Sequence, residues 1–176
     1  MAPDLVVMCP EENRLVDAEE LEAAGVRTHS VCIDDVAGVA PALDRLAAAL
    51  EIGPRQHAPL SPPAPPRLRA FIPIWRRPWM TVGACYGSSV LAHIGVENVF
   101  ADHADRYPTI SLDQLTNRSV DVVLAPSEPY PFQARHRAEL ERVAPVVFVD
   151  GKDLFWWGVR TPHALRRLAT VIEEVR

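Results

Sequence analysis

Glu128 stands between Ser127 and Pro129 in LAPSEPYPFQARH (124–136), with Tyr130 and Phe132 close behind. A residue before proline avoids the helical region, so this stretch holds a carboxylate and two aromatic rings on a stiff, exposed loop tip. A stiff charged tip suits a docking contact, because little entropy is lost on binding. An ordinary solvated carboxylate is the plainer alternative. Asp102, His103 and Asp105 crowd ADHADRYP (101–108), where they could hold a divalent ion or, more simply, where the two acids cap the turns that follow. Cys85 opens a helix start in GACYGSS (83–89). The macrodipole favours a thiolate there, but no base is identifiable to activate it. The histidines, His29, His57, His93, His103, His136 and His163, form no HxH or HExxH and pair with no cysteine, so no metal site is expected. GxGxxG, Walker and GxSxG patterns are absent as well.

These residues must be positioned by strands and helices in alternation. PDLVVM (3–8), RTHSVCI (27–33), LRAFIPI (68–74), VDVVLAP (120–126) and PVVFVD (145–150) read as buried strands. Helices are predicted over 15–25, 35–53, 87–95, 133–144 and 161–176, with a helical turn at 111–115. Gly25 and Gly95 serve as stops, and Thr161 with Pro162 as a start. Such alternation predicts an α/β fold with parallel sheets. Residues 54–67, PRQHAPLSPPAPPR, form neither helix nor sheet and read as a polyproline-type linker. The domains expected are therefore 1–53, a partial first lobe with a short helix, and 68–176, a second Rossmann-like lobe, joined by the linker at 54–67.

The two lobes also look related. PDLVVMCPEEN followed by EELEAAGVRTHSVCID parallels VDVVLAPSEPY followed by RAELERVAPVVFVDG. Aligning Asp4 with Asp121 sets Glu11 opposite Glu128. Both copies run strand, acidic loop, helix, strand. Loops leaving the carboxyl ends of parallel strands line a ligand crevice or its rim, which places Glu11, Glu12, Glu128, Tyr130 and Phe132 there.

Composition narrows the classes. A net charge of −5 over 176 residues leaves no basic footprint for nucleic acid. No run of about 18 apolar residues exists to span a membrane. Cys9, Cys32 and Cys85 are odd in number and lack CxxC spacing, so buried free thiols are expected. MAPDLVVMCP has neither a basic n-region nor an apolar h-region. As written, the chain is expected in the cytoplasm.

FIPIWRRPWMTVG (71–83), IGVENVFADHADRYPTISLDQL (94–115), DVVLAPSEPYPF (121–132) and DGKDLFWWGVRTPHAL (150–165) together resemble helical-backbone, type III substrate-binding proteins of ABC importers. The cobalamin-type branch is the nearest. The resemblance implies a non-catalytic receptor holding a small-molecule ligand between two lobes, with cobalamin, another corrinoid or an iron siderophore as the expected ligand. Glutamates at the lobe tips would dock an ABC permease. That role falls to Glu128 in the second lobe and to Glu11 or Glu12 in the first. The matching ligand positions are Trp75, Arg76, Trp79, Tyr107, Trp156, Trp157 and Arg160, with Tyr130 beside them. Aromatic faces suit a flat macrocycle and arginines its polar edges. Trp156 and Trp157 cannot both face one core from an extended segment, so at least one should be exposed.

Members of the resembled family carry a signal peptide and a first strand–helix–strand stretch that this chain lacks, so the first lobe is expected to be incomplete. A start upstream would make the protein periplasmic or extracellular. The competing reading is a cytoplasmic enzyme or accessory protein of a biosynthetic pathway that reuses a truncated receptor fold. Glu128, Glu11 or His103 would then do acid–base work, and Arg76 or Arg160 would grip an anionic substrate. A half-built lobe leaves an apolar edge near residues 3–8 and 27–33 that predicts a homodimer.

Overall fold

A computed structural model describes residues 3–53 and 56–175, and the chain divides into two units. The first, Met1–Ile33 with Ala37–His57, starts with strand β1 (Leu5–Met8), helix α1 (Leu15–Ala23) and strand β2 (Arg27–Ser30). β1 and β2 pair in parallel from Leu5 opposite Arg27 to Met8 opposite Ser30. A parallel pair needs a crossover, and α1 supplies it. Gly25, at φ +79°, lets the chain leave α1, and the Val26 amide bonds back to the Leu21 carbonyl at 2.9 Å. Helix α2 (Val39–Ala49) is amphipathic and buries Val39, Ala42 and Ala47.

The second unit, Asp34–Val36 with Ala58–Arg176, contains β3 (Leu68–Phe71), β4 (Pro73–Arg76), β5 (Trp79–Thr81), α3 (Tyr86–His93), β6 (Val96–Asn98), β7 (Thr109–Ile110), β8 (Val122–Pro126), α4 (Arg137–Leu140), β9 (Val146–Val149), α5 (Gly151–Phe155) and α6 (Thr161–Glu173). Its main sheet is parallel in the order β6-β3-β8-β9, and β4-β5-β7 form a small antiparallel sheet. All five residues of β8 are buried, as befits a central strand covered on both faces. Phe71, Phe100, Val123, Phe132 and Leu140 share one core cluster. α6 buries Ala164, Leu165, Leu168 and Ile172 at helical spacing, and the Thr161 and Tyr86 hydroxyls meet at 2.9 Å.

The α/β class and its parallel sheets are as the sequence predicts. Several boundaries differ. The strand expected at 68–74 is two strands in two sheets, because β3 ends at Phe71 and β4 turns away to pair with β5. The helix expected at 35–53 is Val39–Ala49. Gly38 is its N-cap, and Pro41 falls in the first turn, where a missing amide breaks no helical bond. The helix expected at 133–144 shrinks to a 3₁₀ turn, Ala134–His136, and the four residues of α4. The buried His136 ring accepts the Gln133 amide there, and Pro145 keeps the chain before it extended. A short helix at α5 and a hairpin at WRRPW had no expectation. Cys32 is exposed and Cys9 half-buried, against the expectation of buried thiols, whereas Cys85 is buried.

Candidate functional site

The hairpin of β4 and β5 carries WRRPW across its turn, with Arg76 opposite Trp79 and Trp75 opposite Met80. Side chains alternate in a strand, so Trp75 points to the opposite side from Ile74, which is buried. The loop leaving β8 folds against this hairpin, and the Tyr130 amide bonds to the Ile74 carbonyl at 3.3 Å. Trp75 and Tyr130 meet edge to face, ring centres 5.6 Å apart. Tyr130 leans on Phe132 at 4.8 Å, and Phe132 stacks on Trp79 at 6.2 Å with the planes 5° apart. Offset and edge-to-face contacts of this kind are the favoured aromatic geometries. The inner end of the chain is core, with Phe132 buried. The outer end is open, with Trp75 44% exposed.

Charge around this face is largely committed. Arg76 and Glu139 form an ion pair at 2.7 Å, and hydrogen bonding to Glu139 raises the guanidinium's pKa further. His136 sits beneath the rings, 5.5 Å from Tyr130 and 5.7 Å from Phe132. Its Nδ1 accepts the Gln133 amide at 3.0 Å, and Nε2 lies 3.4 Å from the Tyr130 hydroxyl. Burial, then the positive charge of Arg135 and Arg76, pushes its pKa below the usual histidine value, with Glu139 opposing. The ring is therefore neutral near pH 7.

Arg77 differs from Arg76. It is exposed, holds φ at 149°, a conformation few non-glycine residues adopt, and enters no ion pair among the described residues. The sequence points to Arg76 or Arg160 as the gripping arginine. The doubled arginine in WRRPW was the only signal for Arg77.

A further group surrounds α5. Trp156 is 53% exposed, which meets the expectation that one of the two adjacent tryptophans is open. Trp157 is half-buried. The Lys152 ammonium and the Arg160 guanidinium lie 5.1 and 5.9 Å from the Trp156 ring centre. Asp153, buried at 4% side-chain exposure, accepts from Arg160 at 2.9 Å and from Arg167 at 2.8 and 2.5 Å. Two cations are needed because a buried lone carboxylate is costly. No pattern in DGKDL marked Asp153 as buried.

The docking candidates differ among themselves. Glu11 and Glu12 are exposed on the turn after β1, where the Glu12 and Asn13 amides bond to the Cys9 carbonyl at 3.0 and 2.8 Å. Glu128 is half-buried, a correction to its expected place on an open tip, as are the half-buried Tyr130 and the buried Phe132. The reason is close packing against α5: a Cβ on Gly151 would lie 2.5 Å from Glu128 Cγ and 2.6 Å from its carbonyl oxygen. The peptide bond between Glu128 and Pro129 is cis.

The remaining candidates take structural parts. Cys85 is the N-cap residue of α3. Burial pushes its thiol up, outweighing the Gly87 and Ser88 amides, Arg106 and Tyr107, which favour the thiolate. The expected thiolate at this helix start is thus disfavoured. His103 Nδ1 accepts the Asp105 amide at 3.1 Å, so the histidine, and not the acids expected to cap, closes this turn. Among the described residues, no group of three or more histidines, cysteines or acids could hold a metal ion, and no helix is long and apolar enough to cross a membrane.

Solved structures share this architecture. The vitamin B12 binding protein BtuF of Vibrio cholerae superposes with a TM-score of 0.70 at 20% identity, covering 98% of this chain and 75% of that one. The fold is that of periplasmic binding proteins. The heme-binding protein BhuT, solved with two hemes, gives a TM-score of 0.73 at 19% identity over 98% of this chain and 76% of its own. The heme-binding protein HutB of Vibrio cholerae gives 0.70 at 16% identity, over 97% and 77%. The helical-backbone, ABC-importer resemblance read from the four motifs is thus matched at the level of fold. No family model matches the sequence, and no curated protein matches it.

Proposed function

We propose that the protein is a non-catalytic binding protein whose second unit holds a flat, tetrapyrrole-like small molecule against Trp75 and Tyr130. The observation that carries this reading is the aromatic chain itself. Its open tryptophan is braced through Tyr130, Phe132 and Trp79 into the core. A braced ring loses little freedom on binding. Neighbours named for vitamin B12 and heme support this ligand class, and a corrinoid or a heme fits it. Arg77 meets an acidic or amide edge of the ligand, since Arg76 is engaged by Glu139. Trp156, with Lys152 and Arg160 over its ring, offers a second contact. Trp157 and Tyr107 stay with the ligand group on the strength of the motif match. The buried, protonated Cys85 and the neutral His136 with its committed Nδ1 favour binding over catalysis.

Absorbance and tryptophan-fluorescence titrations with cobalamin and with hemin test this. One of them gives a saturable change, and Trp75→Ala weakens it about tenfold, since a lost aromatic face costs roughly 1–1.5 kcal/mol. No saturable response to either overturns the reading.

Delivery to an ABC permease through Glu11, Glu12 and Glu128 belongs to the same proposal. Replacing Glu11 and Glu128 by lysine should abolish stimulation of the permease ATPase and leave ligand affinity unchanged. A second copy of the chain is proposed at the two-stranded β1–β2 sheet, where Val7 is exposed and an open outer strand edge invites pairing. A mass of one chain across a concentration series in light scattering would refute the dimer.

A further inference from the structure

The buried ring of His136 does more for the aromatic face than fill the space beneath it. His136 ends the 3₁₀ turn that follows Phe132 and closes it in both directions. Its own amide donates to the Gln133 carbonyl at 2.8 Å, and the Gln133 amide donates to its Nδ1 at 3.0 Å. Glutamate or glutamine usually fills this place, three residues after the cap, and reaches back to the first amide. Histidine makes the same contact with a group that titrates near neutral pH.

Both ring nitrogens face donors. Nδ1 meets the Gln133 amide, and the Arg135 Nε–H lies 3.2 Å from Nε2. A backbone amide can only donate, so the neutral ring keeps its lone pair on Nδ1 and its proton on Nε2, 3.4 Å from the Tyr130 hydroxyl. A second ring proton would sit on Nδ1, pointing at an amide hydrogen, and the contact with Gln133 would be lost. Burial disfavours the imidazolium first, and the positive charges of Arg135 on the same turn and Arg76 on β4 add to this. Glu139 on α4 favours it, but its carboxylate is already paired with Arg76 at 2.7 Å.

The turn joins the ligand face through adjacent residues. Gln133 follows Phe132, whose ring stacks on Trp79 and touches Tyr130. The His136 ring itself lies 5.5 Å from Tyr130 and 5.7 Å from Phe132. Losing the Gln133 contact therefore loosens the two residues that brace Trp75.

We propose that His136 is a positioning residue for the ligand face, holding Tyr130 and Phe132 in place while its ring is neutral and weakening ligand binding when the ring gains a second proton. For the ligand this rests on the binding reading above; the coupling of His136 to Tyr130 and Phe132 stands without it. Affinity is full above the ring's native midpoint, which lies below the ordinary value of about 6.5, and falls about tenfold for each pH unit beneath that midpoint.

Two measurements on the full chain test this. In ligand-free, ¹⁵N-labelled protein titrated downward from pH 7.5, the Tyr130 and Phe132 amides and the Trp75 indole N–H should shift with the midpoint of the His136 ring. Cobalamin and hemin titrations should show, for the one that saturates at pH 7.5, about a tenfold loss of affinity one pH unit below that midpoint. His136→Gln retains an acceptor for the Gln133 amide and cannot titrate, so the ratio of its affinities at the two pH values should stay near one. Titration of the ligand's own groups would act on both proteins alike. A His136 ring that titrates without moving Tyr130, Phe132 or Trp75, a ring that stays neutral until the chain unfolds, or an equal loss of affinity in His136→Gln would each overturn the proposal. If neither ligand saturates at pH 7.5, the binding reading fails instead, and the ligand-free shifts alone uphold or overturn the coupling.

Discussion

The segment β1–α1–β2 and the segment β8–α4–β9 follow one plan and meet opposite fates. In each, a strand ends in an acidic loop, a helical crossover follows, and the next strand pairs in parallel with the first. β8 begins 117 positions after β1 (Leu5 to Val122), and β9 begins 119 after β2 (Arg27 to Val146). Yet β8 is wholly buried, while β1 buries only Met8. α1 buries no residue, and its Leu15 is 75% exposed. The difference lies in the neighbours. β8 has β3 on one side and β9 on the other, whereas among the described residues β1 pairs with β2 alone. The same local pattern folds the same local motif, but a core forms only where further elements cover both faces of the strands.

Equivalent substitutions in the two copies should therefore diverge. Leu124 corresponds to Val7 under the offset of the first strands. Leu124→Ala should cost about 2–5 kcal/mol of stability in denaturant melts, as large-to-small changes in a core do. Val7→Ala should stay within about 0.5 kcal/mol, as expected on a surface. Equal costs would break the comparison. Phe132→Ala should likewise cost about 3–5 kcal/mol, whereas Trp75→Ala, at the open end of the same aromatic chain, should act on ligand affinity and hardly on stability. The two acidic loops can be separated in the same manner. Gly151→Ala presses a methyl group onto Glu128 and should destabilise by about 1–3 kcal/mol, with no counterpart at the Glu11 loop.

A smaller effect concerns pH. The folded state lowers the pKa of His136, so below the ordinary histidine value of about 6.5 the unfolded chain binds the extra proton first. Stability then falls as the pH drops through about 6.5 toward the lowered native value, and it is fully present above 6.5. His136→Gln should flatten that part of the profile in denaturant midpoints measured from pH 7.5 to 5. An unchanged profile would show that the ring titrates freely.

Long apolar runs and glycine stops made the parallel strands and most helices legible, because period and punctuation are local properties. The hairpin at WRRPW was illegible, since Ile72 and Ile74 extend the apolar run of β3 and nothing local announces a change of sheet. The aromatic site was half legible. Trp75, Trp79 and Tyr130 were named, but Phe132 was read as a loop-tip residue because its neighbours are prolines and a glutamate. His136 was weighed only as a metal ligand and Asp153 was not singled out, since burial of a polar side chain depends on partners such as Gln133, Arg160 and Arg167.

By itself the sequence determined the α/β alternation, the repeated strand–acidic loop–helix–strand plan and the stretch 56–67 that enters neither helix nor strand. These follow from backbone preferences and hydrophobic period, which act over a few residues. The tertiary structure alone decided which copy of the repeat acquired a core, and which of two adjacent arginines enters no ion pair among the described residues. Those outcomes depend on what packs against each side chain from distant parts of the chain, and burial, ion pairing and pKa follow from that packing.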